Sequence, residues 1–150
     1  MENLNKLLYL VVGFFMIPAL YACQGTGNGD DSSQATQDAA RLPVPAEYAN
    51  LVNPLPPTAE TIQAGEQLFL LNCASCHGDT GKGDGPVSSA LTPKPSDLAL
   101  VASSVDDAYL YWRIAEGGAG VRSSMPGWKS ILTEEEIWKG VAFIRSLAKK

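Results

Sequence analysis

Cys73-Ala74-Ser75-Cys76-His77 places two thiols three positions apart, with the only histidine of the chain directly behind them. On one helical turn, thiols at that spacing reach the two vinyl carbons along one porphyrin edge, and the next residue offers an imidazole to the iron. C-x-x-C-H is accordingly the attachment signature of a c-type haem. Other uses of the pair fit worse. A thioredoxin-like dithiol needs a βαβ setting and gives His77 no role. Zinc needs four ligands, and the chain has neither a second cysteine pair nor a second histidine. A disulfide across so short a loop would leave the pattern unexplained. The expected cofactor is one covalent haem c with its iron, bound by Cys73, Cys76 and His77.

A sixth ligand follows by elimination. Of the three methionines, Met1 and Met16 lie in a segment expected to be removed on export, which leaves Met125. It sits in Ser123-Ser124-Met125-Pro126-Gly127-Trp128, where Pro and Gly suit a loop that presses a thioether onto the distal face. His77/Met125 ligation of the iron raises the reduction potential and fills both axial positions, so no site remains for O₂ or peroxide. The function expected is one-electron transfer rather than catalysis. A haem catalyst or gas sensor would need an open or labile sixth position, and Met125 argues against both.

Two further patterns fail on inspection. Gly78-Asp79-Thr80-Gly81-Lys82-Gly83-Asp84-Gly85 lacks the Ser or Thr that follows Gly-Lys in a phosphate loop. As a calcium loop it lacks the terminal Glu, because the twelfth position from Asp79 is Ala90. It is expected to be the turn that leaves the haem motif. The balance of 11 basic and 16 acidic residues argues against nucleic-acid binding. It allows docking on a basic protein surface.

The elements that must position these groups are helical. Ile62, Gly65, Phe69 and Cys73 share one helix face. Gly65 within that helix costs about 1 kcal/mol relative to Ala, which points to close contact with another backbone. A second helix is expected over 104–116, capped by Ser104 with Asp107 and ended by Gly117. The last helix starts at the Thr133 cap with Glu136 at its third position. Its apolar stripe is Ile137, Val141, Ile144 and Ala148, widened by Phe143 and Leu147. Gly- and Pro-rich loops join the helices and no strand is evident. Trp112, Trp128 and Trp138 are expected in haem-pocket or interhelix packing. Trp128 or Arg122 could reach a haem propionate. The fold class expected is all-α, a helical domain over 58–150 with long loops around one haem.

The chain before this domain reads as targeting and tether. Residues 7–22, LLYLVVGFFMIPALYA, carry no charge and as a helix span roughly 24 Å, short of the ~30 Å hydrocarbon core. A secretory signal over 1–22 fits better than a membrane span. Leu20-Tyr21-Ala22-Cys23 resembles a bacterial lipobox, with Tyr21 in place of the usual small residue. That resemblance implies acylation of Cys23 as the first mature residue and a lipid anchor to the membrane. Otherwise Cys23 is a free thiol in a tail. Residues 23–57 form a polar, then Pro-rich tether, with prolines at 43, 45, 54, 56 and 57. Tyr48, Leu51 and Val52 could instead pack back on the domain as a strap. The protein is expected to be exported and to face the periplasm or cell exterior.

Taken together, Cys73–His77, the Met125-Pro126 loop and helices at both ends of the domain resemble class I monohaem cytochromes c, over 58–150. The resemblance implies that the first and last helices cross, with Gly65, Phe69 and Phe143 at the contact. It also implies a loop proline whose carbonyl accepts the axial histidine's Nδ1–H, with Pro95, Pro86 and Pro93 as candidates. Such a bond would orient the imidazole and increase its basicity. The partners implied are a redox donor and acceptor among membrane-bound respiratory components. Lipid-anchored monohaem subunits of alternative complex III are similar in arrangement, so a fixed subunit is the alternative to a free carrier.

Overall fold

The computed structural model of the chain describes residues 42–118, 120 and 122–148. The expected signal, Cys23 and the polar half of the tether lie outside the described residues. The described residues hold five α-helices: α1 (Ala59–Asn72), α2 (Ala74–His77), α3 (Leu98–Ser104), α4 (Asp107–Glu116) and α5 (Glu134–Leu147). A 3₁₀ turn covers Ser88–Ala90, and there is no strand among the described residues. The all-α class holds.

α1 begins where the Thr58 hydroxyl accepts the Thr61 N–H at 3.2 Å. α5 begins with a full capping box. The Thr133 hydroxyl accepts the Glu136 N–H, and the Glu136 carboxylate accepts the Thr133 N–H at 2.8 Å. Three glutamates then occupy the positive end of the helix dipole. α1 crosses α5 in the most extensive helix contact of the molecule. Gly65 permits that approach, because a Cβ there would lie 2.0 Å from the Lys139 carbonyl oxygen. Phe69 packs on Phe143 beside it, with ring centroids 5.0 Å apart. The buried face of α5 runs from Ile137 to Leu147 and includes Trp138 and Ala142, while Ala148 is exposed beyond its end.

The single helix expected over 104–116 is two helices. Asp97 caps α3 by accepting the Ala99 N–H at 2.9 Å, and Asp106 caps α4 by accepting the Tyr109 N–H at 2.8 Å. Ser104 closes α3 instead of opening α4, and Val105 between them is extended. Arg145 of α5 clamps this break. Its Nε donates to Asp107 at 2.6 Å, its Nη2 to the Val105 carbonyl at 2.8 Å, and its Nη1 to the Ala102 carbonyl. An acidic cap at Asp106 outcompetes a serine two positions earlier, because its carboxylate also favours the positive helix end.

Part of the Pro-rich segment packs on the core as a strap. Tyr48, Leu51 and Leu55 lie against the α4/α5 cluster, the Tyr48 hydroxyl donates to Glu116, and Asn53 Nδ2 donates to the Trp138 carbonyl at 3.1 Å. Val52 does not join them and is 77% exposed. No helix among the described residues is long and apolar enough to cross a membrane.

Candidate haem site

Cys73 ends α1 by donating its N–H to the Phe69 carbonyl at 2.8 Å, and it opens the single turn of α2. A helix this short leaves its carbonyls unsatisfied unless something folds back over them. The glycine-rich stretch does so. Gly83 donates to the His77 carbonyl at 2.8 Å, Gly85 to Cys76 at 3.2 Å, and Val87 to Ser75 at 3.1 Å. Residues 78–85 are thus the turn leaving the motif. The motif backbone is fixed on both sides, while both thiols remain free.

Electrostatics separate these thiols from a reactive dithiol. Burial, then the neighbouring Cys76, pushes the Cys73 thiol up to about 11, whereas nucleophilic redox cysteines need a lowered value. Burial also lowers the His77 imidazole below its ordinary value, opposed by the Ser96 backbone, and so favours the neutral ring that can bind a metal. His77 Nδ1 is buried and makes no hydrogen bond of normal geometry. Pro93 and Pro95 line the cavity beside it and Pro86 does not, but no proline carbonyl pairs with Nδ1.

Met125 reaches the cavity from the loop that follows α4. α4 stops at Gly117, which turns with φ 73° and donates its N–H to the Arg113 carbonyl at 3.0 Å. Three main-chain bonds then stitch the Met125 loop to the end of α4. Gly118 donates to Met125 at 2.8 Å, Trp128 to Ile114 at 3.0 Å, and Lys129 to Ala115 at 3.2 Å. A Cβ on Gly117 would sit 2.5–2.6 Å from backbone atoms of 125–127, so the stitch depends on the glycine as well as on the turn it makes.

Cys73, Cys76, His77 and Met125 line one cavity of about 370 Å³. Phe69, Leu98, Leu110, Ile114, Ile137 and Ile144 supply its apolar walls. Two free thiols, a buried imidazole and a thioether on a hydrophobic hollow form a donor set that fits a covalently held haem. Trp128 lines the cavity as well. Arg122 does not, and it is exposed with φ 55°. Two other cations line the cavity, the exposed Lys94 and the half-buried Arg113, and the sequence reading passed over Arg113. Its spacing of three and four residues from Leu110 and Tyr109 was the available signal, because it puts a charge on the buried face of α4.

The cytochrome c family model matches residues 62–148. Among curated proteins, the chain is 36% identical over 83 residues to the cbb3-type cytochrome c oxidase subunit FixP of Bradyrhizobium diazoefficiens, covering 55% of this chain and 26% of that protein. It is 33% identical over 84 residues to cytochrome c55X of Stutzerimonas stutzeri, covering 54% and 63% of the two chains. The match thus spans about a quarter of the oxidase subunit's length. A chain of a reducing HAO-like protein complex of Kuenenia stuttgartiensis superposes with a TM-score of 0.55 at 31% identity, covering 63% of this chain and 46% of that one. The C-x-x-C-H turn, the crossed end helices and the shared sequence lead to one conclusion: the chain belongs to the cytochrome c family, as a class I c-type cytochrome.

Proposed function

We propose that this protein carries single electrons through one haem c, bonded to Cys73 and Cys76, with His77 and Met125 as its axial ligands. The observation that carries this reading is the convergence of all four side chains, from stretches far apart in sequence, on one apolar cavity. The bound group supplies a one-electron ferric/ferrous couple. The chain's own residues do the rest. Cys73 and Cys76 would hold the group through thioether bonds, His77 would offer a neutral imidazole, and the stitched loop would hold the Met125 thioether in place. With His77 and Met125 both carried on fixed backbone, little of the chain would need to rearrange when the charge changes. The apolar walls keep water from the iron. Near the cysteines in sequence, Leu71 is 82% and Val87 43% exposed, which offers a partner apolar surface beside the motif.

The lipobox-like Cys23 supports a lipid tether on the outer face of a bacterial membrane, in the periplasm or at the cell exterior. There it would concentrate the domain near membrane-bound respiratory donors and acceptors. Likeness to an oxidase subunit and to a chain of a multi-protein complex favours a second reading, in which the protein is a fixed subunit rather than a free carrier. Intact mass and a redox difference spectrum of membrane-extracted protein test the first reading. One haem mass, an acyl mass at Cys23 and a far-red sulfur-to-iron band in the ferric protein are expected, and Met125→Ala should lose the band. A colourless chain with alkylatable thiols overturns it. A partner that co-purifies after detergent extraction selects the subunit reading.

A further inference from the structure

The loop that carries Met125 is held by two sets of contacts, and one of them originates outside residues 62–148, the stretch shared with the family. Within that stretch, Lys129 grips the end of α4 twice. Its N–H donates to the Ala115 carbonyl at 3.2 Å, and its Nζ donates to Glu116 Oε1 at 2.7 Å. The Lys129 side chain is 61% exposed, and an ion pair in that much water contributes little by itself. The same Oε1 also accepts the Tyr48 hydroxyl, which comes from the strap. One carboxylate oxygen, on the last residue of α4, therefore joins the strap to the Met125 loop.

The strap presents that hydroxyl from a fixed position. The N–H groups of Tyr48 and Ala49 both donate to the Pro45 carbonyl, at 2.9 and 3.1 Å, and Leu51 donates to the Tyr48 carbonyl at 3.0 Å. The Tyr48 ring is half-buried and lies 6.2 Å from that of Tyr111, which itself packs on Trp138 at 4.4 Å. Farther along, Asn53 pins the strap to the Trp138 carbonyl. The bond to Glu116 raises the phenol to about 12, so the donor keeps its proton throughout the neutral range. An O–H already fixed by its turn and its ring loses little freedom on bonding, and an ionised acceptor makes that bond one of the stronger kind.

We propose that Tyr48 and Glu116 are positioning residues for the sixth ligand: the strap latches the end of α4 to Lys129 and so restrains the Met125 loop from opening. This rests on the His77/Met125 reading above and deepens it. The Pro-rich segment is then more than a spacer, because it sets how readily an outside ligand can take the place of the Met125 thioether.

Cyanide is the probe, since in a ferric protein with both axial positions filled it binds only after the thioether has left. Its association rate at neutral pH is measured on the full-length haem protein, on Tyr48→Phe, Glu116→Ala and Asn53→Ala, and on the Tyr48→Phe, Glu116→Ala double variant. Loss of a hydrogen bond to a charged acceptor changes an opening equilibrium about 10-fold. Tyr48→Phe keeps the ring and should bind cyanide about 10-fold faster, with haem content and the far-red band retained. Glu116→Ala should be at least as fast, and the double variant no faster than Glu116→Ala, because the latch acts as a unit. Asn53→Ala loosens the strap without touching Glu116 and should fall between the wild type and Tyr48→Phe. A wild-type rate in Tyr48→Phe, or effects that multiply in the double variant, overturns the latch while the haem reading stands. An Asn53→Ala rate equal to that of Tyr48→Phe assigns the effect to the strap as a whole and overturns it as well. A wild type without covalent haem, or without the far-red band in its ferric form, overturns the underlying reading and the latch with it. Should Glu116→Ala not accumulate, Tyr48→Phe decides alone.

Discussion

Where α1 crosses α5, Gly65 lets one helix rest against the Lys139 carbonyl and Phe69 packs on Phe143 at 5.0 Å. On the neighbouring faces of α4 and α5, Leu110, Ile114, Ile137 and Ile144 line a hollow of about 370 Å³. The first region is closed by contacts within the chain, although Phe69 also lines the cavity. The second is an apolar hollow whose wall atoms would gain dispersion partners from an apolar occupant. Small domains bury proportionally little surface, so the occupant belongs to the core as much as to the function. Crossing and cavity should therefore respond differently to damage.

Gly65→Val tests the crossing and should have the largest effect. The added carbons meet main chain rather than a yielding side-chain end, so a loss of at least about 3 kcal/mol is expected, with or without haem. Denaturant unfolding measures it, and an unchanged midpoint would show that the helices do not depend on close approach. Cys73→Ser with Cys76→Ser tests the cavity, since haem can no longer be held covalently. Amide exchange of α1 and α5 at their crossing should keep its protection, while α3 and the loop at 123–129 should exchange about 100-fold faster. Equal acceleration in both regions would erase the distinction.

Arg145→Met probes the link between the regions, because Arg145 stands on the crossing helix and holds the α3–α4 break on the cavity side. Removing it strands the Ala102 and Val105 carbonyls and Asp107, at a cost of about 2 kcal/mol. A double-mutant cycle with Asp107→Asn isolates the ion pair, and additive losses would show that the two residues do not cooperate.

What could be read from the sequence follows the same division. The crossing was legible because Gly65 stands inside a helical stripe with Phe69 and the family resemblance pairs them with Phe143, and the Thr133 box places the start of α5 where the structure has it. The cavity's donors were legible too, since C-x-x-C-H is a local pattern and Met125 was left by elimination. Two features were not. The break at Val105 depends on Arg145, forty residues downstream, and capping patterns alone favoured Ser104. Arg113 was hidden because a linear reading cannot show which side of α4 faces the cavity. Arg122, nearer to Met125 in sequence, does not line it.

The strap at 42–57 is the smallest of these couplings. Its Tyr48 phenol is raised from the ordinary value of 10 to about 12, first by the hydrogen bond to Glu116 and then by burial. Glu116 in turn is lowered, first by Lys129 and then by Tyr48. A raised folded value means the neutral phenol is the form that holds the strap. Its contribution is whole below pH 10 and is lost as pH rises toward about 12. The Glu116 contribution has the opposite direction. It is present above the ordinary carboxylate range and lost as acid titrates the depressed carboxyl. Tyr48→Phe should cost less than Arg145→Met at neutral pH, and the difference from the wild type should shrink between pH 10 and 12. Stability curves that stay parallel across that range would mean the Pro-rich segment is held by Leu51, Leu55 and Asn53 alone.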